Sequence, residues 1–378
     1  MKKGILFLGL LMLIMGGCTV PEPPYIEVTT DASVFEERFY YEQLSESEQL
    51  IYQELYEGIM TEQTEIYTHS TDPDEANEIL LSVVYDFPEI FWTDGSATAT
   101  THGQAVARGT YTVVKPVYEY SGEKKEQMQR EIDAAVEDII NSVPTEYDEY
   151  GKIKYIYEYL INTVEYVENA PDSQNLYSSL VNHGTVCAGY AKANQYLLNE
   201  LGIECIYVLG TATEGERTDN HAWNIVKCNG NYYYIDLTWA DPVPAEEDEN
   251  LPCVMIYDYL CCSSAEMEDT HVLQEGYEYP KCDSDDLNYY DVNGMYYDAI
   301  DRQQLLDATY RTIDAKESST TYKFASKELY EQAKSIIEED VLAVSAQYLC
   351  EKHNIESIKY FYCEEDSMNK IVAYWLYQ

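Results

Sequence analysis

The sequence predicts an α+β fold, and three features predict it. A run beginning at Cys187, with apolar positions at Ala193, Leu197, Leu198 and Leu201, has the period of an amphipathic helix and stops at Gly202. Downstream, two strand-like runs, 221–228 and 231–238, are separated only by Asn229-Gly230, a dipeptide that specifies a tight two-residue hairpin. On both sides of this segment helical and strand patterns alternate. At 378 residues the chain is long enough for two or three domains, and 46% hydrophobic content with 13% aromatics supplies the apolar surface to fold them despite the charge.

The first residues carry an address. Lys2 and Lys3 precede an apolar stretch from Ile5 to Met15, which has the length of a signal-peptide core and is too short to span a bilayer. It ends in Met15-Gly16-Gly17-Cys18, which resembles the lipobox of bacterial lipoproteins. That resemblance implies a signal peptide over 1–17, lipidation of Cys18 as the new first residue, and a chain anchored to the cell membrane facing outside the cytoplasm. Residues 18–35, with Pro21, Pro23 and Pro24, read as an extended tether. The formal net charge of −46 makes nucleic acid and anionic lipid surfaces unsuitable partners, and loss of the leader would remove two lysines and no acid. Such a charge serves solubility. Of ten cysteines, Cys18 and Cys187 have other roles, which leaves eight, enough for four disulfides outside the cytoplasm.

An N-terminal α+β region is expected over 36–144. Ser45 and Glu48 form a capping-box pattern before Ile51, Leu55 and Ile59, and Asp72-Pro73 opens a second helix toward Tyr85. Tyr111–Tyr120 reads as a strand, at an edge because Pro116 has no N–H to donate. Met128, Ile132, Ala135, Val136, Ile139 and Ile140 form the stripe of a third helix. The second region, 145–280, opens with Thr145 as the cap of a helix bearing Tyr150, Ile153, Ile156 and Leu160. In the third, 281–378, also α+β, Asn293-Gly294 reads as a hairpin turn, Leu329–Cys350 as helical, and Ile358–Tyr362 and Ile371–Tyr377 as strands around a turn near Asp366. The 39 tyrosines fit a core and rim built from amphipathic rings.

The chemistry concentrates in the second region. Gly184-Thr-Val-Cys-Ala-Gly-Tyr190 places Cys187 at a helix start, where unpaired amides and the positive end of the dipole favour a thiolate. If Cys228 pairs with Asn231 across the hairpin, Trp223 faces Asp236 and His221 faces Thr238. His221 and Asp236 are then diagonal neighbours on one face, about 7–8 Å apart at Cα and within reach of a hydrogen bond that orients the imidazole. Elsewhere the signals are weaker. Cys253, Cys261, Cys262 and Cys282 lack paired spacing and read as disulfides or free thiols, not a zinc site. Cys205 and Cys228 could bridge if their strands are neighbours. His183 and His271 are isolated and read as structural, and Glu246–Glu249 as a solvated loop. No metal or cofactor is expected.

Across residues 150–245 these motifs closely resemble the transglutaminase-like family. The resemblance rests on Gly184-Thr-Val-Cys-Ala-Gly-Tyr190, Leu201-Gly-Ile203, the strand ending at Gly210, His221-Ala-Trp-Asn224 and Asp236-Leu-Thr-Trp-Ala-Asp-Pro242. It implies a papain-like fold in which a Cys-bearing helix packs on an antiparallel sheet bearing His and Asp. It also implies Cys187 as nucleophile, His221 as general base and acid, and Asp236 as the orienting acid. Acyl transfer through a Cys187 thioester follows, with the Cys187 N–H as one oxyanion donor. Tyr190, Trp223 and Trp239 are candidates for the substrate cleft or oxyanion site, although the two tryptophans on strands equally fit a core. The expected function is hydrolysis of amides in protein or peptide substrates, including those of the cell envelope. Two alternatives are transamidation to a lysine amine, which crosslinks proteins, and a non-catalytic surface binding module on the same fold.

Overall fold

The computed structural model describes residues 23–103, 109–241 and 255–377. The leader and Cys18, the acidic run Glu246–Glu249 and Cys253 lie outside these. The tether expected through residue 35 ends earlier: Thr29 and Thr30 donate hydrogen bonds to Glu57, and Phe35 is fully buried.

Helix α1 (Glu46–Met60) starts at a Ser45–Glu48 capping box, and α2 (Pro73–Asp86) follows Asp72, whose carboxylate accepts from the Asp74 N–H. Strands β1 (Ile66–Thr68), β2 (Ala97–Gly103) and β3 (Thr110–Pro116) form an antiparallel sheet in the order β1-β3-β2. The strand expected at an edge is thus central. Pro116 is tolerated because β1 pairs only with residues 112–114, so no partner on that side calls for its missing N–H. Helix α3 (Gly122–Ser142) buries Met128, Ile132, Val136 and Ile139.

Helix α4 (Glu149–Thr163) is capped by Asp148 rather than by Thr145: the Asp148 carboxylate accepts from the Gly151 N–H at 2.8 Å. Helix α5 (Cys187–Glu200) ends before Gly202, whose φ of +76° supplies the left-handed stop. A five-stranded antiparallel sheet follows, made of β4 (Cys205–Glu214), β5 (Arg217–Cys228), β6 (Asn231–Ile235), β7 (Leu260–Cys262) and β8 (His271–Leu273). Its order is β8-β4-β5-β6-β7, and α5 packs on β4 and β5. One continuous hydrophobic cluster runs from Phe35 to Cys282, so the expected boundary at 144–145 falls inside a shared core.

The last region has its own core, built from residues between Tyr297 and Trp375. Strands β9 (Tyr296–Tyr297), β10 (Ser319–Phe324), β11 (Lys359–Glu365) and β12 (Lys370–Leu376) are ordered β9-β10-β12-β11. They pack with α6 (Arg302–Ala315), α7 (Lys327–Ile336) and α8 (Leu342–His353). Asn293-Gly294 is not a hairpin turn. It ends the short helix Tyr289–Val292, and β9 then pairs in parallel with β10, a geometry that a two-residue turn does not make. The fold is α+β throughout.

The eight described cysteines are free thiols. The expected Cys205–Cys228 bridge is absent because the register sets Cys205 opposite Val226, which makes Cys228 a diagonal neighbour beyond ordinary disulfide reach.

Candidate active site

Cys187 is the first residue of α5, half-buried, with Val186 as its extended N-cap. The approach to this helix is held close. Val186 N–H and the Thr185 hydroxyl both donate to the Ser173 carbonyl. Gly189 lies so near Thr185 that a Cβ there would stand 1.9 Å from the Thr185 hydroxyl oxygen. Among the described residues no protein acceptor takes the Cys187 N–H, which leaves it available to an oxyanion.

The helix is bolted to the sheet by Asn224. Its side-chain amide donates to the carbonyls of Ala191 (3.0 Å) and Ile206 (3.2 Å), and its oxygen accepts from Asn194 at 3.0 Å. Wholly buried, this amide ties α5, β4 and β5 together and so sets how Cys187 stands to His221, three residues along β5.

The Asn229-Gly230 turn pairs Cys228 with Asn231, and the register runs to Asn224 opposite Ile235. There the expected ladder stops. Asp236 leaves the strand and caps the helical turn Leu237–Ala240, its Oδ1 accepting from the Thr238 N–H at 2.8 Å and the Trp239 N–H at 3.1 Å. The pairs Trp223–Asp236 and His221–Thr238 therefore do not form, because a capping carboxylate turns its backbone out of the sheet. The side chains still meet: His221 Nε2 lies 2.6 Å from Asp236 Oδ2. With Nε2 engaged, Nδ1 is the ring nitrogen left for the Cys187 thiol, whose proximity favours the protonated ring.

The sequence did not place His271 here. Its Nε2 lies 3.0 Å from the same Asp236 Oδ2, and its Nδ1 lies 2.8 Å from the Thr270 hydroxyl. For both rings to donate to one carboxylate oxygen, each carries a proton on Nε2, and the Thr270 hydroxyl is within hydrogen-bond reach of the other nitrogen of His271. Strand β8 brings it in by pairing His271 with Ala212 on β4. No local turn announces that long-range pairing, so spacing alone held no signal for it.

Burial disfavours charge on His221, but the Asp236 carboxylate and then Cys187 outweigh it and push the ring up to about 10. Burial likewise opposes ionisation of Asp236, and the two imidazoles overcome it, holding the carboxyl well below the usual range. The ligand atoms of His221, Asp236 and His271 lie within 4.8 Å of one another, the spacing of a metal set. Two hydrogen bonds on one oxygen account for the grouping, and an ion would have to break both.

The other sequence candidates separate. Trp223 is buried and stacks on His221 at 5.8 Å between centroids, and half-buried Trp239 meets the His271 ring edge-on at 4.6 Å. Both wall the imidazoles. Tyr190 is not a cleft residue: it is buried at 1% exposure, its hydroxyl lying 2.8 Å from the Val164 carbonyl and 2.9 Å from Asp241 Oδ2. A tyrosine three residues after Cys187 points into the core under the helix. His183 is exposed and away from this grouping.

The chain is similar to a TGase of solved structure (15% identity, 50% of this chain and 54% of that one, TM-score 0.27). It is also similar to a candidate cysteine protease from Cytophaga hutchinsonii (17% identity, 39% and 63%, TM-score 0.27) and to a candidate protease from Parabacteroides distasonis (11%, 36% and 35%, TM-score 0.23). It spans about half of the first of these and less than two thirds of the second. No curated protein matches. The Transglutaminase-like superfamily model matches residues 133–237, a span that contains Cys187, His221 and Asp236 but not His271. With the cysteine-headed helix on an antiparallel sheet already described, the chain carries a domain of the transglutaminase-like superfamily.

Proposed function

We propose that this chain is a cysteine-dependent enzyme that cleaves amide bonds of protein or peptide substrates outside the cytoplasm, held to the membrane through Cys18. One observation carries the catalytic part: the His221 ring is held by Asp236 through Nε2, and the Cys187 thiol at the head of α5 is near enough to favour the protonated ring. The resemblance of Met15-Gly-Gly-Cys18 to a lipobox supports the location.

The imidazolium, favoured by Asp236, donates Nδ1–H toward the sulfur. The Cys187 thiolate attacks the amide carbonyl, a C–S bond forms, and the carbonyl oxygen gains negative charge within reach of the Cys187 N–H. The C–N bond breaks as His221 gives its proton to the departing nitrogen, which leaves a thioester and an amine. Water, deprotonated by His221, attacks the thioester. The products are a carboxylic acid and the regenerated thiolate–imidazolium pair. A lysine amine in place of water would give a crosslink. We favour hydrolysis because water is the default acceptor where no device excludes it.

The test is alkylation of Cys187 by iodoacetamide against pH, followed by peptide mapping to separate it from the other thiols. The expected result is rapid labelling near neutral pH that slows at least about tenfold in His221→Ala. Equal, slow labelling in both proteins would defeat the catalytic reading and leave the binding-module alternative. A glutamine peptide followed with and without added amine then distinguishes acid release from amine incorporation.

A further inference from the structure

Helix α5 carries a second reactive side chain. Lys192 is 7% exposed, and among the described residues no hydrogen bond or ion pair engages its ammonium. The Tyr207 ring centre lies 5.8 Å from Nζ. Burial pushes this ammonium down to about 8, against the pull of Asp94 and Glu119. An ammonium taken from water without a partner is costly, and this one lines a cavity of about 310 Å³, near the small end of ligand pockets.

The rest of the cavity has the opposite sign. Asp94 and Glu119 are exposed at its rim and Asp172 is half-buried, its carboxylate taken by the Tyr120 hydroxyl. A lone inorganic anion would be drawn to Lys192 and repelled by the three acids. A ligand with a carboxylate at one end and an ammonium at the other satisfies both. The cavity also adjoins the nucleophile: Ser173 lines it, and the Ser173 carbonyl accepts from Val186, the residue before Cys187. On α5, Ala188 and Lys192 share a stripe about 100° round from the Cys187–Ala191 stripe. Tyr207 packs with Cys187, Ala188 and Ala191 in the same cluster and faces Lys192.

We propose that this cavity binds a short peptide with free termini, of dipeptide size. Its carboxylate pairs with Lys192 at the floor, and its ammonium sits among Asp94, Glu119 and Asp172 at the rim. Its role as the released fragment of a cleaved substrate rests on the catalytic reading; its binding does not.

The experiment titrates alanylalanine, its C-terminal amide and its N-acetyl derivative into the full mature chain bearing Cys187→Ala, by calorimetry. The zwitterion is expected to bind at least about tenfold more tightly than either blocked form, the loss expected when one charge-assisted pair is removed. Lys192→Met should abolish the preference over the amide. Glu119→Gln, at an exposed position that folding tolerates, should narrow the preference over the N-acetyl form, and it keeps the test decisive should Lys192→Met misfold. Equal binding of all three peptides, binding of none, or preferences unchanged in both variants would overturn the proposal. Iodoacetamide kinetics on the parent protein, mapped to the Cys187 peptide, test the catalytic reading separately. Normal alkylation without peptide binding would sink the cavity assignment only, and peptide binding with an inert thiol would sink the catalytic reading only.

Discussion

The Nε2 atoms of His221 and His271 converge on a single oxygen, Oδ2 of Asp236, at 2.6 and 3.0 Å. The other oxygen of this carboxylate is filled by two backbone N–H groups. Asp236 is wholly buried and receives four donors, so it has almost no freedom to rotate. A carboxylate fixed from four sides fixes the plane of the ring it holds and leaves Nδ1 as the ring nitrogen free for Cys187. On the proposed mechanism His271 acts through Asp236, as a positioning residue.

His271→Leu removes one of these donors at nearly constant volume. Activity is expected to fall about tenfold in kcat with KM little changed, because ring orientation, not substrate contact, is lost. His271→Gln, whose amide reaches the same distance, should recover most of it. A variant pair with equal losses would show that His271 serves packing alone.

The His221 shift carries a sign for stability. Its folded value of about 10 lies above the ordinary 6.5, so the ring binds its proton more tightly in the folded chain. That contribution is fully present below about pH 6.5 and is lost as pH rises through about 10. The lowered Asp236 adds stability present above its ordinary 3.8 and lost as pH falls below it. Urea unfolding across pH 6 to 10 should show declining stability in the parent and a flatter curve in His221→Gln. Parallel curves would contradict the linkage.

The legible part of the site was the part encoded by local geometry. Asn229-Gly230 fixes the register of β5 on β6, and Gly202 fixes the end of the helix that Cys187 heads, so Cys187, His221 and Asp236 emerge from turn chemistry and motif. What the residues concealed was nonlocal or ambiguous. Asp236 suits a cap as well as a strand end, and its capping role displaced the expected cross-strand pairs. His271 arrives on a three-residue strand whose partner lies nearly sixty positions earlier. The N-terminal region was legible as helices but not as part of the core it shares with the Cys187 helix and its sheet. Its contacts, such as the Tyr40 hydroxyl on the Tyr207 carbonyl and Gln195 on the Tyr85 carbonyl, follow no sequence period.

Gly210 tests how tightly the sheet holds the imidazoles. It stands opposite His221 and beside β8, and an added Cβ would fall 2.0 Å from the Val272 carbonyl oxygen and 2.7 Å from the Trp223 ring. Backbone on one side and a buried indole on the other leave no way to yield without moving β8. Gly210→Ala is expected to cost about 1–3 kcal/mol or more in unfolding free energy. Activity should fall beyond what that loss explains, because His271 rides on β8. Wild-type stability in this variant would show that the strand relaxes freely.

Asp258 joins the C-terminal unit to the core. Its carboxylate pairs with Lys323 at 2.9 Å and with Lys370, and accepts from the Tyr290 hydroxyl at 2.8 Å, with Asp258 and Lys370 side chains both 3% exposed. Burial works against its charge, yet the two ammonium groups hold it down at about 2. Asp258→Ala strands two cations, one of them deeply buried with the half-buried Glu365 carboxylate and the Tyr290 hydroxyl left beside it. Breaking such a pair from one side typically costs roughly 3–5 kcal/mol, far more than an exposed ion pair. The expected outcome is early release of the unit with its own core around Trp375, seen as a separate low-temperature step in calorimetry or as proteolysis confined to residues beyond about 290. A single cooperative transition shifted as a whole would mean instead that the two cores unfold together.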